Sequence, residues 1–98
     1  MQRDTQSLLL RNASILSALS LETEKGADMS ATIEQLEGFK TSLELVTDSE
    51  LRPFAQKAKS LVIATLRYLK NRSTANLTQA QQLRDVLSDA MLSHKQKG

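Results

Sequence analysis

The sequence holds one imidazole, His94, no cysteine, and three isolated glycines at positions 26, 38 and 98. One histidine and no thiolate leave no His-rich or Cys-based metal site, no thiol nucleophile and no disulfide framework. The isolated glycines form no phosphate-cradling loop. Acid–base chemistry would fall to paired carboxylates such as Glu34 and Glu37. Such a pair needs burial to separate its pKa values, and on the flank of an amphipathic helix it is expected to be solvated. A Ser-His-Asp device needs a rigidly held histidine, and His94 lies near the end of the sequence. No catalytic residue, metal, cofactor or small-molecule substrate is expected.

One short string bears on phosphoryl transfer. His94-Lys-Gln-Lys97-Gly98 reads His-x-x-Lys-Gly and resembles, over five residues, the core of histidine phosphotransfer domains, which are four-helix bundles of about this size. In that family the string lies mid-helix with more of the bundle after it. Here the sequence stops, so the match is read as coincidence.

Binding chemistry is better represented. The net charge is +2 over 98 residues, but its distribution is uneven. Residues 1–51 carry four Lys/Arg against nine Asp/Glu, a net −5, and residues 52–98 carry nine against two, a net +7. Such asymmetry points to self-complementarity or to a basic surface for an acidic partner. Arg52, Lys59, Arg67 and Lys70 fall within roughly 80° of one another on a helical projection. Arg72 and Lys57 lie close by, with Ile63 in the middle of the stripe, and Arg84, Lys95 and Lys97 extend the basic half. These cations could contact phosphates at helical spacing. The glycine-bearing tight turn of a helix-turn-helix and aromatic stacking platforms are both missing, so any nucleic-acid binding would be electrostatic. The competing reading is a solvated stripe, or one paired with the acidic flank of the preceding helix.

These residues are positioned by helices, because helical periodicity dominates and strand alternation is nearly absent. Four segments are predicted, over about 5–22, 29–46, 50–71 and 77–93. In the first, Leu8, Leu9, Ile15, Leu16 and Leu19 make the expected inner face, and Asn12 falls within it. A lone Asn in an apolar seam can fix register in a helical assembly, although an edge position in water is the simpler reading. Leu10 and Leu21 fall on the far side, near Ser14, Ser17 and Ala18. In the second segment Met29, Ile33, Leu36, Phe39, Leu43 and Val46 form a clean face, with Gly38 inside it. Gly26 is a plausible left-handed residue after the first helix, and Asp28 or Ser30 can cap the second. Thr47-Asp-Ser-Glu50 reads as a capping box for the third, with Pro53 in its first turn. The third buries Phe54, Ala58, Leu61, Val62, Thr65, Tyr68 and Leu69. Asn76 or Thr78 can cap the fourth, whose apolar face is Ala80, Leu83, Val86, Leu87, Ala90 and Met91. Residues 94–98 read as a frayed basic tail.

The expected architecture is an all-α, antiparallel four-helix bundle in a single domain over 1–98. No stretch reaches the roughly 18 apolar residues of a membrane span and no signal peptide is evident, so a cytoplasmic setting is expected. Leu10, Asn12, Leu21 and Ile63 are the expected oligomer contacts. The leading expectation is a small non-enzymatic protein–protein interaction module, an adaptor, regulator, inhibitor or chaperone-like protein. It docks through helix faces onto another protein and onto itself as a homodimer. The alternative is a nucleic-acid-binding regulator using Arg52, Lys59, Arg67, Lys70 and Arg72.

Overall fold

A computed structural model describes the backbone of residues 3–24 and 26–97 and the side chains of residues 4–24 and 26–93. Four α-helices follow one another: α1 (Arg3–Ser20), α2 (Ser30–Leu43), α3 (Arg52–Lys70) and α4 (Thr74–Lys97). No strand occurs among the described residues. The fold is an all-α four-helix bundle.

Cross-chain contacts fix the helix directions. The start of α1 meets the α2–α3 connection, where Gln6 bonds Thr47 and Asp48. The segment after α1 meets the α3–α4 connection, where Arg72 bonds Thr23. Helices α1 and α3 therefore run the same way. Glu44 pairs with Lys59 and Glu37 with Lys70, which sets α2 antiparallel to α3.

The packing departs from a square bundle. Helix α3 approaches all three others, α1 and α4 approach least, and the α2 and α4 backbones stay apart among the described residues. The diagonal pair α1–α3 has closed in, and the α1–α4 side has opened. Residue size accounts for this. Ala13, Ser17 and Ser20 on α1 and Ala58 on α3 are all buried, with Ala13 and Ala58 in one core cluster. Small side chains let two helix axes approach, since interaxial distance follows the residues at the contact. Around them Leu36, Leu61, Val62 and Leu87 are fully buried.

Helix α1 is rotated from the sequence expectation: of the expected inner face, Leu9 and Leu16 still pack half-buried against the core. Gln6, Leu10, Ala13, Ser17, Ser20 and Leu21 point inward, whereas Leu8, Ile15 and Leu19 are 55 %, 47 % and 57 % exposed. The two stripes lie on opposite sides of the helix. The richer apolar stripe is the outer one, because the middle of the inward stripe, where α1 closes on α3, is built from the small residues Ala13 and Ser17. Leu10 and Leu21 are thus core residues, not oligomer contacts, while Asn12 and Ile63 remain on the surface. The inner faces of α2 and α3 follow expectation, and on α4 only Val86 departs, at 50 % exposure.

Local signals place the helix ends. The carboxylate of Asp28 accepts the backbone N–H and the hydroxyl of Ser30 at the start of α2. These bonds, the backbone one first, hold the Asp28 carboxyl below its ordinary value. Gly26 adopts φ +98°, the left-handed conformation that glycine tolerates best. Before α3 the cap is Asp48 rather than Thr47: its carboxylate accepts the N–H groups of Glu50 and Leu51. Thr47 is occupied by Gln6 instead. Pro53 sits in the first turn of α3. Helix α4 starts earlier than expected because Ser73, not Asn76 or Thr78, supplies the cap, its hydroxyl accepting the Asn76 N–H. The backbone of α4 continues to Lys97. The side chains of the expected tail, His94 included, lie outside the described residues.

Candidate interaction surfaces

The basic stripe of α3 is largely engaged within the chain. Lys59 meets Glu44 at 2.6 Å, and Lys70 meets Glu37 at 3.5 Å. The hydrogen bond from Lys59, with its charge, holds the Glu44 carboxyl below the ordinary value of 4.5. Arg72 turns inward. It donates to the Thr23 carbonyl at 2.9 Å and to the Thr23 hydroxyl at 3.4 Å, and its guanidinium stands 5.2 Å from the Tyr68 ring centroid. It works as a strut between the α1–α2 and α3–α4 connections. Arg52 and Arg67 are exposed. Of the five cations named from the sequence, four lie on α3 and Arg72 lies in the connection after it, and they do not share a task.

The carboxylates Glu34 and Glu37 are exposed, and Glu37 is paired with Lys70. No cluster suited to a metal ion occurs among the described residues. No described helix is long and apolar enough to cross a membrane.

The main buried polar site was not legible in the sequence. Gln6, 2 % exposed, accepts the backbone N–H groups of Thr47 and Asp48 through Oε1 and donates through Nε2 to the Thr47 hydroxyl. Its amide closes the α2–α3 turn from the neighbouring helix. A glutamine in the first turns of a helix carries no spacing signal for such a role. Ser17 and Thr65 are fully buried, and neither hydroxyl finds a hydrogen-bond partner among the described residues.

The opened α1–α4 side is concave. It is a groove of about 570 Å³ walled by Ile15, Ala18, Met91 and Leu92, with Arg11, Arg84 and Asp85 also lining it. A shallower hollow of about 250 Å³ lies across α1, between Leu16 and Leu19 and Phe39 of α2. Ile15 lines both. The outer face of α1 is therefore a ridge with an apolar depression on each side. From Thr5 to Leu21 its sole charged residue is Arg11. By contrast, the exposed side of α2 carries Glu34 and Glu37. Depletion of charge and exposure of large aliphatics mark the core of protein interfaces more than ordinary surface.

No protein-family model, no curated protein and no solved structure matches this chain in the comparisons made.

Proposed function

We propose that the protein is a non-enzymatic interaction module that receives a partner helix on the outer face of α1. The supporting observation is the exposure of Leu8, Ile15 and Leu19 along one charge-poor helix face, with the α1–α4 groove beside it. An amphipathic helix laid there would place apolar anchors at i, i+3, i+4 and i+7. Helix-face burial would supply affinity, and the −5/+7 asymmetry of the halves would orient the encounter. The cytoplasmic setting belongs to this proposal, and cell fractionation tests it.

The nucleic-acid alternative loses support from the pairing of Lys59 and Lys70 and the inward turn of Arg72. It predicts a steep loss of duplex affinity between about 50 and 200 mM salt, reduced further by Arg67→Glu. Absence of binding at the lower salt removes it.

Selection of displayed random peptides on the full chain tests the main proposal. The expected binders are amphipathic helices that lose affinity at least tenfold for Ile15→Glu and keep it for Ile63→Glu, a change of about 1.4 kcal/mol. Binders indifferent to Ile15→Glu would remove the α1 face from consideration.

A further inference from the structure

We infer that the occupant of the α1 face is α1 of a second copy, paired in parallel about a two-fold axis beside Asn12; this rests on the docking face proposed above. Leu8, Asn12, Ile15 and Leu19 are all exposed, and their spacing is 4-3-4. That is the d-a-d-a seam of a two-stranded coiled coil, with Asn12 at an a position. It lies on the side of α1 opposite the stripe buried in the chain's own core. The seam is thus complete and outward-facing.

The polar member of the seam selects the partner. An amide carries both donors and an acceptor, so an asparagine can satisfy a copy of itself across a two-fold axis. In a parallel pair every seam residue meets its own copy, and Asn12 faces Asn12. An antiparallel pair centred on the seam would set Leu8 against Leu19 and bury the Asn12 amide against Ile15. That arrangement leaves polar atoms without partners, which makes it the worse choice. A single a-position Asn also favours a defined register and oligomer state.

The near absence of charge between Thr5 and Leu21 removes the repulsion that two identical charged faces would bring.

The cysteine-free sequence makes the test direct. Sedimentation equilibrium on the full chain, from about 1 µM to about 1 mM, is expected to reach twice the monomer mass and to change little with added salt. Leu19→Glu, at an exposed position, is expected to give a monomer with unchanged helical circular dichroism. The variants Asn12→Cys and Leu19→Cys are each expected to form disulfide-linked dimers under mild oxidation. Ile63→Cys, flanked by α2 and α4, is not. A strict monomer over the whole range overturns the inference, as does cross-linking of Ile63→Cys but not Asn12→Cys. A dimer dispersed by salt also overturns it, since that would be charge pairing between the two halves. If the chain is monomeric while selected helical peptides still lose binding to Ile15→Glu, only self-pairing fails. If the peptides are indifferent as well, the docking face fails with it.

Discussion

The Oε1 atom of Gln6 accepts the backbone N–H of Asp48 at 3.0 Å, and Asp48 in turn accepts the N–H groups of Glu50 and Leu51. A residue near the start of α1 thereby holds the residue that launches α3. Gln6→Ala would leave the Thr47 and Asp48 N–H groups without this acceptor at a part-buried site. The expected loss is about 1 kcal/mol, read as a lower urea midpoint with unchanged slope.

Ser17→Ala and Thr65→Val should act in the opposite direction. Each removes a buried hydroxyl that has no partner among the described residues and keeps most of the packing volume. Each is expected to be neutral or stabilising by about 1 kcal/mol. A loss of stability in thermal unfolding would show that the hydroxyl is bonded in solution.

Arg72 and Arg67 separate structure from surface. Arg72→Lys keeps the charge but loses the planar fork on Thr23 and the stacking on Tyr68. It should cost about 1–2 kcal/mol. Arg67→Ala, at an exposed site, should stay within about 0.5 kcal/mol of the parent. Equal effects in chemical denaturation would contradict the strut assigned to Arg72.

The Glu44–Lys59 pair gives an acid-side dependence. The folded pKa of Glu44 is depressed below 4.5 by the Lys59 hydrogen bond and charge. Its contribution is therefore present above the unfolded-state value and is lost as pH falls through the folded value. In an NMR titration Glu44 should titrate below 4.5 and move back toward it in Lys59→Met. No movement would mean the pair does not form in solution.

The two internal glycines should respond with opposite signs. Gly38 lies inside α2, and a Cβ added there would meet nothing within 4 Å. Gly38→Ala should stabilise by about 1 kcal/mol. Gly26, at φ +98°, should lose about 1 kcal/mol on Gly26→Ala, from backbone strain alone. Thermal unfolding of the two single variants reads both.

The helices and the core of α2 and α3 were legible because apolar periodicity is unambiguous there. Leu36, Leu43, Leu61 and Val62 sit where their spacing puts them. The rotation of α1 was not, because it has two stripes and hydrophobicity favours the wrong one. What decides is the size of Ala13 and Ser17 against the α3 surface, a pairwise property that no single segment displays. The cap choices missed for the same reason. Thr47 and Asp48 are both good caps, and only the arrival of Gln6 from another helix assigns Thr47 elsewhere. For the basic stripe, the pairing of Lys59 and Lys70 with the acidic flank of α2 matches the competing reading of the charge pattern. The inward turn of Arg72 depends on Thr23 and could not be read locally.

Helix α1 is bonded near both ends, through Gln6 at its start and through Thr23 just beyond its end. These polar contacts break the near-degeneracy between two half-turn orientations of one cylinder. One orientation satisfies the turns and leaves leucines in water; the other would hide the leucines and strand a glutamine and two serines. The landscape of this segment is therefore locally frustrated, and its rotational state is set by the close packing of Ala13 and Ser17 together with these end contacts rather than by greasy area. Evolution could retune which side α1 shows to the outside by altering those few small and polar residues, leaving its leucines untouched.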